Sequence, residues 1–472
     1  MFIKNLTIQN YGPFQNCDIS LWDEENRDRK VTLLIGENGA GKTVFLEAIV
    51  TLLSWLVARI RSEKNTGSPI TLHRIHFNES YAKLFCKLYA EKEEYSWSLV
   101  KTRKGILSKQ ESVLKDSSKL ANIYSAKITN NTKESLPLFV YYSTERYVLD
   151  IPKRIKKRHT FSQIDGYDNA LKKGIDFRLF FEWFRNIEDI LNENKISIDE
   201  ISPYIDKKKL TEFLSKNNFN MDLSDVYSSI DYERMKKEDS VLFKKLQLHE
   251  RPQDQQYLAV MHAIESFMPG YRRLRIERHP KMRMLLDKNG QELDIIQLSQ
   301  GEKSLLALVG DIARRLAIMN PLLSNPLEGK GIILIDEIDL HLHPRWQRTI
   351  VRRLRNTFPN CQFILTTHSP LVVSDPDNVQ IFTLESGEIT VLPNIYGMDI
   401  EQLYLEIMNT PLRDEQLQKE IDSLYMEIQN GNIENAKKII TKLQEKIPTD
   451  HAELVKAKIL IRRFEVMREK NY

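Results

Sequence analysis

Gly36-Glu37-Asn38-Gly39-Ala40-Gly41-Lys42-Thr43 fits the pattern G-x-x-x-x-G-K-[ST], and its flanks are the ones that pattern needs. Upstream, Val31-Thr32-Leu33-Leu34-Ile35 is a short continuous apolar run, as in a buried strand; downstream, residues 44–60 repeat apolar side chains at helical spacing. Strand, glycine turn and helix in that order make a phosphate-binding loop. Gly36, Asn38, Gly39 and Gly41 let the backbone N–H groups surround the phosphates of a nucleotide. Lys42 neutralises those phosphates, and the Thr43 hydroxyl holds Mg²⁺. ATP with Mg²⁺ is therefore the expected ligand.

Three later stretches complete a hydrolytic set. Leu298-Ser299-Gln300-Gly301-Glu302 opens a helix, Gly331-Ile332-Ile333-Leu334-Ile335-Asp336-Glu337 is an apolar strand ending in two carboxylates, and Gln362-Phe363-Ile364-Leu365-Thr366-Thr367-His368 is a strand ending in a histidine. Such runs suit central parallel strands covered on both faces, where nucleotide chemistry gathers at the carboxyl ends. Asp336 is expected beside Thr43 in the metal shell. Glu337 is expected to polarise the attacking water, and His368 to contact the γ-phosphate. Ser299 and Gly301 head the run 303–319, where free amides and the helix dipole favour an anion. The plainer reading of Ser299 is an ordinary helix cap.

The order of phosphate loop, signature, Asp-Glu strand and histidine resembles the ABC-type ATPases, in the soluble branch of recombination-repair and chromosome-maintenance proteins. The resemblance implies an α/β ATPase head with a mixed sheet, a helical insertion and a C-terminal helical extension. It also implies a homo-oligomer in which two copies sandwich two ATP molecules head to tail, Ser299 and Gly301 of one closing over the γ-phosphate held by the other. Gln300 and Glu302 depart from the transporter signature. Two histidines, His341 and His343, stand in the D-loop segment 338–344, and no Q-loop glutamine is placed.

Composition sets limits. A chain of 472 residues buries a large core in two or three units. Its net charge of +4, from 69 basic and 65 acidic residues, does not by itself argue for nucleic acid. Cys17, Cys86 and Cys361 lie far apart and read as core residues of a reducing compartment. No apolar run is expected to approach the roughly 20 residues that span a bilayer, so the reading is a soluble, cytoplasmic protein with no membrane partner.

The chain divides at residues 1–149, an ATPase lobe with the phosphate loop; 150–268, a helical insertion; 269–395, a lobe with signature, Asp-Glu strand and histidine; and 396–472, a helical region. Strands are expected near 2–9, 15–21, 84–89, 95–100 and 136–143, the last leading to Arg146 as a candidate phosphate contact. In the insertion, Phe177, Phe180, Phe181, Trp183 and Phe184 read as a packed helical face, with no sustained heptads. Two basic clusters, 153–159 and 271–283, are candidate DNA contacts, the second doubling as a solvated edge strand. Amphipathic helices are expected at 399–408, 413–429, 433–446 and 451–470.

Tyr141-Tyr142-Ser143-Thr144-Glu145-Arg146, Gly166-Tyr167-Asp168-Asn169-Ala170 and the tail from Tyr396 resemble more narrowly the ATPase subunits of the Septu anti-phage system and of retron-associated defence modules. That resemblance implies a separate HNH-type nuclease as partner and DNA as the target of the pair. A repair ATPase loading partners on DNA, and a module whose hydrolysis only times assembly, are the alternatives.

Overall fold

The structure is a computed structural model. It describes residues 1–22, 24, 28–105, 110–130, 134–145, 161–172, 177–193, 252–374, 378–392 and 414–469, with 234, 237, 398, 402 and 403. Arg146 and the cluster 153–159 lie outside the described residues, as does most of 399–408. The described chain forms two compact units, Met1–Gly397 and Met398–Tyr472.

The first unit is built on two sheets with a helix between them. β1 (Phe2–Tyr11), β2 (Phe14–Ser20), β4 (Tyr81–Ala90) and β5 (Glu93–Thr102) form an antiparallel sheet in the order β2-β1-β4-β5. Along β4, buried and half-buried residues alternate without a break, the signature of a sheet covered on one face. β3 (Val31–Gly36), β6 (Leu138–Tyr142), β10 (Gly331–Ile335), β11 (Cys361–Thr367), β12 (Val379–Glu385) and β13 (Glu388–Val391) form the second, in the order β13-β12-β3-β11-β10-β6. From β12 to β6 neighbours run parallel, with β13 antiparallel at the edge. β6, β10 and β11 are buried at every position, which is why their sequences carry no alternation.

The helix Lys42–Arg61 packs against both sheets, and the Trp97 indole donates to its Leu52 carbonyl at 3.1 Å. By length and composition this helix is apolar enough to cross a membrane, which corrects the expectation that no run is. Here its apolar side chains, Phe45 to Ile60, fill the space between the sheets. Buried Gln362 on β11 binds both main-chain groups of Ile3, accepting at 2.7 Å and donating at 3.1 Å, and so ties one sheet to the other.

Helices Phe177–Glu193 and Pro252–Phe267, which come after β6 in the chain, pack on each other and on helix Gln300–Met319. Phe177, Phe180, Phe181, Trp183 and Phe184 are all buried, so the aromatic run is core. β7 (Tyr271–Glu277), β8 (Arg283–Lys288) and β9 (Gln291–Asp294) make a small antiparallel sheet before the signature. Cys17, Cys86 and Cys361 are buried and unbridged. The second unit holds helices Glu415–Gln429, Ile433–Gln444 and Ala452–Glu469 around Ile421, Leu424, Ile428, Ile440, Leu443 and Leu454.

Candidate active site

Register brings the chemistry together. Ile335 pairs with Leu365 on one side and Tyr142 on the other, and Thr367 pairs with Ile35. The parallel strands therefore end side by side, presenting Gly36, His368, Asp336 with Glu337, and Ser143 at one end of the sheet. Gly41 adopts φ +108, and a Cβ there would lie 2.7 Å from Pro13, so both backbone and space demand glycine. No acidic residue occupies the first turn of Lys42–Arg61, which leaves the positive end of its dipole undiminished. Lys42 is buried, its Nζ donating to the carbonyls of Gly36 at 2.8 Å and Glu37 at 2.9 Å. Burial lowers its pKa, while Glu337, Asp336 and Asp339 support the charged form. Asn38 and Gly39 stand exposed at the loop's apex, with open space over Gly39.

The Thr43 hydroxyl donates to Asp336 Oδ2 at 2.7 Å, although 293 residues separate them. Thr366 donates to the other carboxylate oxygen at 2.6 Å, and the Asp336 amide donates to the Tyr142 carbonyl at 2.8 Å. Adjacent hydroxyl and carboxylate oxygens at the mouth of a phosphate loop fit a hard divalent cation that keeps part of its water. Glu337 sits at φ +46, a left-handed conformation that costs a bulky residue about 1–3 kcal/mol and is kept only where surroundings enforce it. The enforcing group is Thr366, whose Oγ1 accepts from the Glu337 amide at 2.7 Å. Thr366→Val keeps the shape and removes both contacts. We expect a loss of about 1–3 kcal/mol in thermal or denaturant unfolding. ATP turnover should fall by about tenfold as Glu337 loses its aim.

His368 Nε2 lies 4.0 Å from Glu337 Oε1. Burial, then the charge of Lys42, lowers its pKa below the ordinary 6.5, against the pull of Glu337, Asp339 and Asp336. The imidazole is therefore neutral at pH 7. As pH falls through the ordinary histidine range the unfolded chain takes up this proton first, so His368 costs stability progressively until the folded pKa is passed. An NMR titration should place its midpoint below that of a surface histidine; a midpoint at or above 6.5 contradicts the burial argument.

Residues flanking His368 are tied to the segment after Glu337. Thr367 Oγ1 donates to Asp339 at 2.5 Å, and Ser369 Oγ donates to Gln347 Oε1 at 2.8 Å. Gln347 Nε2 in turn donates to the carbonyls of Leu342 at 2.9 Å and Asp339 at 3.3 Å. The residues on either side of His368 are thereby hydrogen-bonded to residues 339–347. Sequence reading missed Thr366, Thr367, Ser369 and Gln347. The available signal was a pair of threonines ending an otherwise apolar strand. Ser143, Thr144 and Glu145 follow β6.

At the signature, Ser299 and Glu302 form a reciprocal capping box. The Ser299 amide donates to Glu302 Oε2 at 2.8 Å, and Ser299 Oγ accepts from the Glu302 amide at 3.4 Å. The Ser299 amide and hydroxyl are thus both engaged with Glu302 in its own helix, and any anion there would rely on the first-turn amides that follow. Burial opposes ionisation of Glu302, yet hydrogen bonds from Lys288, Tyr271 and Ser299 hold it down to about 2. Lys288, at 2.7 Å, offsets the carboxylate that otherwise repels phosphate here. A Cβ on Gly301 would lie 2.5 Å from the His341 carbonyl, so signature and D-loop of one chain touch.

The second basic cluster is largely neutralised. Arg273 pairs with Asp287, Arg275 with Asp287 and Glu292, Arg278 with Glu188 and Asp189, and Arg283 with Glu277. These arginines face acids on the small sheet and, for Arg278, on helix Phe177–Glu193, which favours the solvated-edge reading of 271–283 over a phosphate-binding one.

Comparison with known proteins agrees with this geometry. The family model described as "AAA domain, putative AbiEii toxin, Type IV TA system" matches residues 31–374. The Retron Vc95 probable ATPase of Vibrio cholerae serotype O1 biovar El Tor is 37% identical over 398 residues, covering 80% of this chain and 72% of that protein. The Retron Ec83 probable ATPase of Escherichia coli is 31% identical over 479 residues, covering 97% and 86%. The Septu protein PtuA of Bacillus mycoides (strain KBAB4) is 42% identical over 112 residues, 22% of this chain and 15% of that one. With a phosphate loop, an Asp-Glu strand and a histidine gathered at one end of a largely parallel sheet, the chain is an ATP hydrolase that belongs to this AAA family and, within it, to the retron ATPases.

Proposed function

We propose that this ATPase is the nucleotide-switched sensor and scaffold of an anti-phage defence complex, controlling a separate HNH-type nuclease that acts on DNA. The observation that carries the reading is kinship with a retron ATPase along 97% of the chain, tail included. In this account Gly36, Asn38, Gly39, Gly41 and Lys42 grip the triphosphate, and Thr43 with Asp336 holds Mg²⁺. Glu337 polarises the attacking water, and His368 reports the γ-phosphate. Ser299 and Gly301 of a second copy roof the same nucleotide, so ATP joins two protomers and hydrolysis lets them part. The metal would neutralise charge developing on the phosphates; the chain's own residues position it and the water.

The strap from His368 to the D-loop, and from there to Gly301, supports a switch in preference to a simple hydrolytic engine. Turnover without a partner is expected below the roughly 10 s⁻¹ typical of enzymes. Purification of the native complex from its cytoplasmic host, followed by mass spectrometry, tests the assignment. A small HNH protein in stoichiometric amount supports it, and replication or repair proteins in its place favour the repair alternative.

A further inference from the structure

Three ionised side chains are buried in the middle of helix Gln300–Met319: Asp311 at 0% exposure, Arg314 at 1% and Arg315 at 2%. Asp311 Oδ1 accepts from Arg314 Nη2 at 2.7 Å, and Oδ2 from Arg315 Nε at 2.7 Å and from the Tyr142 hydroxyl at 2.9 Å. Burial opposes ionisation of Asp311, but the two guanidiniums hold its carboxyl below the usual range. Among the described residues two guanidiniums share one fully buried carboxylate, and Arg314 Nε has no partner there. Apolar side chains of similar volume would be no worse for stability at such a site, so the cluster calls for a reason other than stability.

Its connections supply one. Arg315 Nη1 donates to the carbonyls of Gly166 at 2.7 Å and Asp168 at 2.9 Å. The Asp168 carboxylate pairs with Arg61 at 2.5 Å, in the last turn of the phosphate-loop helix. On the other side, the Tyr142 carbonyl accepts from the Asp336 amide, and Asp336 accepts from Thr43 in the first turn of that same helix. The contacts close a ring: Thr43, Asp336, Tyr142, Asp311, Arg315, Asp168, Arg61, and back along one helix. It passes through the phosphate loop, the acidic strand and the signature helix, and takes in 161–172, a segment that comes after β6 in the chain.

We infer that the Asp311–Arg315–Tyr142 node is a positioning element for ATP turnover, holding the signature helix in register with the acidic strand and carrying that register to residues 161–172. A core of apolar contacts tolerates sliding, whereas a buried carboxylate shared by three donors has one arrangement that satisfies it. Arg315 is the bridging residue: among the described residues Arg314 donates to Asp311 alone, whereas Arg315 also reaches Gly166 and Asp168. The inference rests on the nucleotide site and on no partner nuclease.

The test uses the full chain with Arg315→Lys, Arg314→Lys and Tyr142→Phe, active sites counted by titration with a fluorescent ATP analogue. Both lysine variants keep a buried cation beside Asp311, so mere structural support affects them equally. Positioning predicts that Arg315→Lys and Tyr142→Phe lower kcat per titrated site by about tenfold with KM within about twofold, while Arg314→Lys stays within about threefold of wild type. Equal losses in the two lysine variants, or Tyr142→Phe turning over at the wild-type rate, overturn the inference. If neither lysine variant folds, Tyr142→Phe, which removes one hydroxyl, decides alone. The oligomer test of Glu337→Gln is run with the ring intact, so failure of the ATP sandwich and failure of the node give separate results.

Discussion

Lys42→Ala should abolish nucleotide binding. Lys42 Nζ is held by the carbonyls of Gly36 and Glu37 and faces Glu337, Asp336 and Asp339. With the ammonium gone, a triphosphate entering the loop meets three acids with no cation from the loop between them. Hydrogen bonds to a charged group contribute about 1.5–3 kcal/mol each, so losing two phosphate contacts weakens binding by about 10²–10⁴-fold. Equilibrium titration with a fluorescent ATP analogue measures this. Lys42 is buried, but it stands at the first position of the helix with its ammonium on loop carbonyls, and the apolar core face from Phe45 to Ile60 is untouched, so the variant should stay folded. Binding within about threefold of wild type would show that phosphate is gripped elsewhere.

Glu337→Gln separates binding from chemistry. The amide keeps the size of the side chain and the amide-to-Thr366 bond that holds the left-handed backbone, but it cannot take a proton from water. General-base catalysis contributes about 10²–10⁴-fold, and turnover should fall by that factor with nucleotide affinity unchanged. Held in the ATP-bound state, the variant should double its mass in light scattering when ATP is added. An unchanged monomer mass would count against two copies sharing their nucleotides. Normal hydrolysis by both Lys42→Ala and Glu337→Gln would sink the site assignment as a whole.

The elements that carry the expected hydrolytic residues were legible because their geometry is local. A glycine turn between a strand and a helix states its own backbone shape within Gly36 to Thr43, and continuous apolar runs announced β3, β10 and β11. The structure moved their ends by no more than two residues, since each strand stops where its apolar run gives way to glycine or polar residues. The apolar helix Lys42–Arg61 was misjudged for a related reason. Apart from β3, the strands that cover it, β4, β5, β6 and β11, come later in the chain, so the helix's own composition does not tell a core helix from a membrane span. The arginines of 271–283 read as possible phosphate contacts until β8, β9 and helix Phe177–Glu193 supplied their acids.

The sequence by itself determined that this chain is an ATPase, and it named the acids and the histidine expected at the nucleotide, because those expectations follow from residue type at a strand end or a glycine turn. Only the tertiary structure decided what connects them. Thr43 meets Asp336, Tyr142 meets Asp311 and Arg315 meets Asp168 across 293, 169 and 147 residues. Those meetings depend on strand order and helix packing, and the chain records neither at the positions concerned.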